Sequence, residues 1–462
     1  MEKISSGIKG LDAIMDGGLP KGKTTYAIGQ AGCGKTMLAM QFLYSGAESK
    51  EAGLFISFEE TKEDLIDHFE NTVFDLKAMM ETGLLTFDAV FFNDNAYTES
   101  EAFTLEGLMI RLDYLIKKTQ AKRVVLDSFK ALFERFGGPV NFRFELTRLI
   151  AWLKKQGVTT LITGSDAGNG LGVEAYVVDC VLLLDQRVKG QLSTRRLRVL
   201  KYRGSKHESN EYPYTITEGG FVLTPLSSLS LNHEVLRERI STGIESLDTM
   251  FENKGYYRGA SILISGEAGA GKSSLAAHFL YSLCKKGRKG MLFQFEESES
   301  QIIRNMRSIG LDLEPFVEQG LLKIHSVRPT HLSLESHLLN MFQAVDRFQP
   351  DALIMDPISS FWSSDEDFGI KSLMTRIIDY LKTRQVTGMF THLMHGTASL
   401  EAQNTMISSL IDTWIVLRNR EKASKRVRDL FIVKSRGMAH ETNIHPFRIT
   451  HQGFMIERDR HD

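Results

Sequence analysis

Two stretches of this 462-residue chain satisfy G-x-x-x-x-G-K-[ST]: Gly29-Gln30-Ala31-Gly32-Cys33-Gly34-Lys35-Thr36 and Gly266-Glu267-Ala268-Gly269-Ala270-Gly271-Lys272-Ser273. Glycines at these positions let backbone N–H groups curl around phosphate oxygens, the lysine neutralises β/γ charge, and the final hydroxyl joins Mg²⁺. Gly32, Gly34, Lys35, Thr36, Gly269, Gly271, Lys272 and Ser273 are thus the candidate ATP-binding residues. A single match would also suit a glycine-rich turn with an incidental lysine, but two matches in register remove that reading. Cys33 reads as a small residue tolerated in the loop, not as a redox switch.

Magnesium needs a carboxylate at the end of a neighbouring strand, and Val124-Val125-Leu126-Asp127 and Leu353-Ile354-Met355-Asp356 each close an apolar run in Asp. Asp127 and Asp356 join Thr36 and Ser273 as candidate metal ligands. Phe58-Glu59-Glu60 and Phe295-Glu296-Glu297 put paired carboxylates at the tips of two further apolar runs. In a nucleotide site, one carboxylate can orient or deprotonate an attacking oxygen. Adjacent strand residues face opposite ways, so one glutamate of each pair is expected at the γ-phosphate. Lys201 and Arg203, like Lys434 and Arg436, are two apart and share a strand face. Each cation pair can stabilise charge on a phosphoryl group, most usefully one bound to a neighbouring subunit. Arg195-Arg196-Leu197-Arg198 has no repeat support and reads as a basic strand surface.

These groups recur because the chain repeats itself. Ser5-Ser6-Gly7-Ile8-Lys9-Gly10-Leu11-Asp12 returns as Ser241-Thr242-Gly243-Ile244-Glu245-Ser246-Leu247-Asp248, and Lys35 and Glu59-Glu60 return as Lys272 and Glu296-Glu297 at one constant offset. Lys201-Tyr202-Arg203-Gly204 returns as Lys434-Ser435-Arg436-Gly437 at a slightly shorter one. The length suits two domains, expected over 1–228 and 229–462 with their seam in Pro225–Asn232. Within each repeat, short β-rich runs alternate with helical patterns: Thr24–Gly29, a helix over Lys35–Ser45, Leu54–Phe58, Arg123–Leu126 and Thr159–Thr163. That alternation predicts an α/β fold: two tandem P-loop domains, each a mostly parallel sheet covered by helices.

Composition narrows the function classes. Hydrophobic residues at 42% and charged residues at 24% describe a globular chain, and 56 Lys+Arg against 57 Asp+Glu provide no global field for nucleic acid or acidic membrane. Three cysteines, Cys33, Cys180 and Cys284, form no C-x-x-C pair and suit free thiols in a reducing compartment. Glu2 excludes myristoylation, no apolar leader follows Met1, and apolar runs such as Val181–Leu184 stop far short of the ~20 residues of a span. A cytoplasmic protein is expected, with neither membrane nor nucleic acid as partner.

Assembled, these residues resemble the KaiC family of RecA-like double-domain ATPases and autokinases from bacterial clock systems, over nearly the whole chain. The resemblance rests on the Ser-x-Gly-Ile-x-x-Leu-Asp openings, both phosphate loops, both Phe-Glu-Glu turns and the Lys-x-Arg-Gly segments. Lys201-Tyr202-Arg203-Gly204-Ser205-Lys206-His207, followed by Glu211-Tyr212-Pro213-Tyr214-Thr215-Ile216-Thr217, is its most specific stretch. It implies a homohexameric double ring acting as a timing or stress-signalling hub, with ATP and Mg²⁺ at subunit interfaces and Lys201/Arg203 and Lys434/Arg436 reaching the adjacent nucleotide. The first domain would hydrolyse ATP slowly, and the second would move the γ-phosphoryl group onto neighbouring hydroxyls and back to ADP.

The repeats themselves differ where such hydroxyls would sit. Aligning Asp179 with Asp412 sets Ala175-Tyr176 against Ser408-Ser409. On the residues alone, Ser408-Ser409 is a polar turn before a strand over Thr413–Leu417; the resemblance makes the pair phosphosites and Glu296 the base. Three residues depart from the family pattern: Ser409 stands for Thr, Gln403 for an auxiliary Thr, and Pro357 for the Ser after the second strand Asp. The end at Asp462, soon after a strand-like Phe454-Met455-Ile456, leaves no long tail for KaiA, so KaiA dependence is not expected, while a KaiB-like protein stays a candidate partner of the first ring. Two other classes remain open here: a DNA-handling RecA-like motor, and a nucleotide-gated scaffold without autokinase activity.

Overall fold

The computed structural model describes residues 1–90, 105–129, 139–165, 174–189, 192–223, 236–361, 367–394, 408–422 and 425–457. The expected seam at Pro225–Asn232 and Gln403 lie outside them. The chain divides into two compact units, Met1–Ser228 and Leu229–Asp462.

Each unit is built on a nine-stranded sheet. In the first, the spatial order is Gly220–Leu223, Glu211–Thr217, Leu192–Tyr202, Cys180–Lys189, Thr24–Gly29, Thr159–Ser165, Arg123–Asp127, Gly53–Ser57 and Leu85–Ala89. The last six run parallel, and the first three extend the sheet as antiparallel hairpins. The second unit repeats the plan in reverse listing: Leu322–Ser326, Gly290–Gln294, Ala352–Asp356, Thr387–Leu393, Ser261–Gly266, Thr413–Lys422, Lys425–Ser435, His445–Thr450 and Gly453–Ile456. The mostly parallel sheet expected from the alternation is present; the long antiparallel hairpins are an addition to it.

Parallel strands need both faces covered, and here the strand period of two divides one sheet between two cores. Tyr26, Ile28, Leu54, Ile56, Val124 and Leu126 enter one apolar cluster, while Ala27, Phe55 and Val125 enter the other on the opposite face. The second unit does the same with Leu263, Phe293, Leu353 and Met355 against Ile262, Ile264, Leu292 and Ile354. The strands therefore read as unbroken hydrophobic runs, and their ends, where the chain leaves the cores, are the places left for polar chemistry.

The repeated opening proves to be a structural clasp. Asp12 accepts from Ser5 Oγ at 2.7 Å, Ser6 N at 2.9 Å and Ser6 Oγ at 2.6 Å; Asp248 accepts from Ser241 Oγ at 2.5 Å and Thr242 N at 2.7 Å. The turn needs a left-handed residue: Gly7 has φ +81° and Gly243 φ +88°. A Cβ on Gly243 would lie 2.7 Å from Ser282 Cβ and 2.8 Å from His278 O, on the helix that follows the phosphate loop. We expect Gly243→Ala to destabilise the second unit by about 1–2 kcal/mol from the backbone conformation alone, with the contact adding to it. Urea unfolding should show a lower midpoint for that unit.

Candidate nucleotide sites

Each phosphate loop joins the end of a central parallel strand to the start of a helix, Lys35–Glu48 or Lys272–Lys285. Neither helix has a side-chain cap at its N-terminus, where Gly34 and Gly271 adopt left-handed conformations at φ +87° and +103°. The first-turn N–H groups and the helix dipole are thereby left for an anion. Side chains would also collide: a Cβ on Gly34 would come within 2.3 Å of Ile216 Cδ1, and one on Gly271 within 2.6 Å of Ile449 Cδ1. Lys35 Nζ donates to Gly29 O at 3.0 Å and Gln30 O at 2.8 Å, and Lys272 Nζ to Gly266 O at 2.9 Å and Glu267 O at 2.8 Å. Both ammonium groups thus sit inside their own loops. Burial lowers the pKa of Lys272, opposed by the charges of Asp356, Glu296 and Glu267.

Thr36 and Asp127 come together as the metal reading requires: Thr36 Oγ1 donates to Asp127 Oδ2 at 3.1 Å, and Thr163 Oγ1 to Asp127 Oδ1 at 2.5 Å. In the second unit Asp356 accepts from Ser273, Thr391 and Gln294. A hydroxyl beside one buried carboxylate suits Mg²⁺, which keeps several waters and takes the rest of its shell from substrate phosphates. Among the described residues, no group of three or more His, Cys, Asp or Glu could hold a metal alone. Burial raises the pKa of both Asp127 and Asp356, against the hydroxyl hydrogen bonds that lower them.

The glutamates of each pair have different neighbours. Glu60 Oε1 lies 3.6 Å from His68 Nδ1 on the helix Lys62–Phe69, and both oxygens of Glu297 accept from Asn305 Nδ2 at 3.3 Å on the helix Glu299–Arg307. Glu59 and Glu296 are exposed. Glu296 Oε1 accepts from Ser360 Oγ at 2.9 Å, and its charge reaches Lys272. Both helices begin on capping boxes, Thr61 with Asp64 and Ser298 with Gln301, so the second glutamate of each pair sits against the start of a helix.

The cation pairs lie at the other end of the sheet. Lys201 Nζ donates to Ala175 O at 2.8 Å and Tyr176 O at 3.1 Å, and Arg203 Nη2 to Tyr176 O at 2.8 Å. Lys434 Nζ donates to Ser408 O, and Arg436 Nη2 to Ser409 O at 2.8 Å. In both units the hairpin pairing slips by a residue next to the lysine, between Val181 and Leu182 and between Trp414 and Ile415. Such bulges re-aim side chains.

An Asp–Lys pair that the sequence reading missed fixes this edge. Asp179 meets Lys154 at 2.8 Å and accepts from Thr24 N; Asp412 meets Lys382 at 2.8 Å and accepts from Ser261 N at 2.9 Å. Asp179 and Asp412 align in the repeat, but nothing in the sequence names the lysines as their partners. Beside Arg436 a cleft of about 410 Å³ is lined by Arg237, Arg258, Lys382 and Asp412, leaving positive charge in excess.

A family model described as "ATPase: KaiC" matches residues 4–228 and again 240–461. This chain belongs to the KaiC family. It is 41% identical over 457 residues to "Circadian clock protein KaiC2" of Synechocystis sp., covering 98% of this chain and 80% of that protein. It is 36% identical to the "Circadian clock oscillator protein KaiC" of Parathermosynechococcus lividus, covering 98% and 85%. With that of Synechococcus elongatus the identity is 33%, over 98% and 88%. As a KaiC-family ATPase the chain binds ATP, and both phosphate loops fall within the matched residues. Among the described residues no helix is long and apolar enough to cross a membrane.

The burial of Asp127 and Asp356 predicts a pH dependence of metal binding with a defined sign. Their raised pKa means that protons return to Asp127 and Asp356 sooner, as pH falls, than to exposed aspartates, and a protonated carboxyl is a poor Mg²⁺ ligand. We expect calorimetric Mg²⁺ affinity of the ATP-loaded protein to weaken as pH falls, and to begin weakening at a higher pH than ordinary exposed aspartates would cause. Asp127→Asn/Asp356→Asn should bind Mg²⁺ more weakly throughout and lose the share of that dependence that the aspartates supply, leaving the share due to protonation of the ATP γ-phosphate itself.

Proposed function

We propose that this chain is an ATPase and serine autokinase whose active sites are completed between copies, the second unit passing the γ-phosphoryl group of ATP to Ser408 or Ser409 of a neighbour. The observation that supports it is the separation of two half-sites in one sheet. Gly266, where the phosphate loop starts, pairs with Leu417, whereas Ile262 pairs with Thr413, which in turn pairs with Ser435 between Lys434 and Arg436. Four strand steps at roughly 3.3 Å put the two levels roughly 13 Å apart. Lys434 and Arg436 are turned to the backbone of Ser408 and Ser409, away from the loop of their own unit.

The first unit has the same separation: Gly29 pairs with Leu184, while Thr25 pairs with Cys180 and so with Tyr202, between Lys201 and Arg203. A head-to-tail contact between such edges generates a ring when it closes, and the family resemblance sets its size at six. The cations and the acceptor serines then arrive together at the next copy's nucleotide.

In the second unit Glu296 takes the proton from the serine Oγ as the new Oγ–P bond forms and the bond from γ-phosphorus to the β–γ bridging oxygen breaks, releasing ADP. Lys272 of one copy and Lys434 and Arg436 of the next stabilise charge on the transferring group. Thr36 and Asp127, or Ser273 and Asp356, would hold Mg²⁺, which would supply positive charge against the phosphates. In the first unit Glu59 orients water, because Ala175-Tyr176 offers no aliphatic hydroxyl; hydrolysis is the result. Phosphorylation of the exposed Ser409 edge is what a timing or stress-signalling hub would display.

The test is to incubate the protein with Mg-ATP and map phosphate by mass spectrometry. Phosphate on Ser408 or Ser409, lost in Ser408→Ala/Ser409→Ala while ADP release continues, is expected. ADP release with no phosphate on either serine would reduce the protein to an ATPase.

A further inference from the structure

Glu296 leaves the end of its strand beside a hydroxyl that the nucleotide chemistry so far leaves unused. Ser360 lies on the short helical turn Ile358–Phe361, which follows the strand Ala352–Asp356. Its Oγ donates to Glu296 Oε1 at 2.9 Å. The turn is anchored on both sides of the serine. Ser359 Oγ accepts from Leu393 N at 3.1 Å, and Ile358 and Phe361 are buried. Phe361 packs edge-on against Phe295, the residue before Glu296, with centroids 4.6 Å apart, and against His337 at 5.2 Å. The backbones carrying Ser360 and Glu296 are therefore held together by an aromatic contact directly beside the hydrogen bond.

We propose that Ser360 is a positioning residue for phosphoryl transfer: it fixes the rotamer of Glu296 so that Oε1 is occupied and Oε2 is left to take the acceptor's proton. The inference rests on the reading of Glu296 as the base. An exposed glutamate samples several rotamers, and only the one with an oxygen within hydrogen-bond reach of the incoming hydroxyl is productive. A hydrogen bond from a rigid turn removes that search. The sequence of the first unit differs at this point: aligning Asp127 with Asp356 sets Ala131 against Ser360, and a methyl group cannot donate. The unit assigned water as acceptor has no hydroxyl at the aligned position, and the unit that must receive a serine from another copy has one.

The experiment follows phosphate on Ser408 and Ser409 in the full chain with Mg-ATP, for wild type, S360A, S360T, E296Q and E296Q/S360A. We expect S360A to lower kcat for transfer about tenfold, as loss of a hydrogen bond to a charged group would, with KM for ATP nearly unchanged. S360T, which keeps the hydroxyl, should restore most of the rate. In the E296Q background S360A should add little, because both act through one carboxylate.

A wild-type rate in S360A with a slow E296Q would overturn this inference and leave the base reading standing. A wild-type rate in E296Q would overturn both. S360A and E296Q effects that simply multiply, a rise in KM matching the fall in kcat, or phosphate found on Ser360 itself would each contradict the positioning role.

Discussion

A parallel strand has two ends, and in both units of this chain they are assigned to different tasks. The carboxyl end of the central strand runs into the phosphate loop; the level of its amino end carries the Lys–Arg pair and the segment before the next strand. Strand register fixes the distance between them, because a ladder of backbone hydrogen bonds cannot be stretched to bring Lys434 to Lys272. Buried Asp179 and half-buried Asp412, each bound to a lysine and to the amino end of the central strand, hold the second edge in place. On the proposed reading, a site needing both a phosphate loop and the cation pair is left incomplete within one copy, which makes self-association part of the chemistry.

Much of this was legible in the sequence where a physical rule ties residue type to position. The loops were, since only glycine tolerates the conformations at Gly34 and Gly271 and the crowding by Ile216 and Ile449. The strand-terminal Asp127 and Asp356 were, because apolar runs covered on both faces end where polar groups can begin. The repeated Ser-x-Gly-Ile-x-x-Leu-Asp opening was visible as a pattern while its role was not; Asp12 and Asp248 clasp a turn and touch no candidate site residue. Lys154 and Lys382 could not be matched to Asp179 and Asp412, as contacts between distant segments leave no local periodicity. Ser360 was hidden for the same reason: the role proposed for it comes from a hydrogen bond across 64 positions.

Similar scaffolds, different acceptors, is the consequence of the duplication. Both units keep the lysine of the loop, the hydroxyl–aspartate pair and the two cations, so the proposed reading gives both the same means of binding nucleotide and stabilising charge. They differ in what the second edge presents, Ala175-Tyr176 or Ser408-Ser409, and in what stands at the Ser360 position. On the proposed reading, small changes at two points of a repeated frame turn water attack into serine attack, because phosphoryl transfer asks the protein mainly for positioning and charge.

The most direct measurement of action between copies is a mixing experiment. Lys272→Ala disables the loop and keeps the serines; Ser408→Ala/Ser409→Ala keeps the loop and removes the acceptors. Neither should label at Ser408 or Ser409 alone, and after co-assembly phosphate should appear on those serines of the Lys272→Ala chains. A mixture that stays unlabelled, beside wild-type protein that labels under the same conditions, would contradict the account.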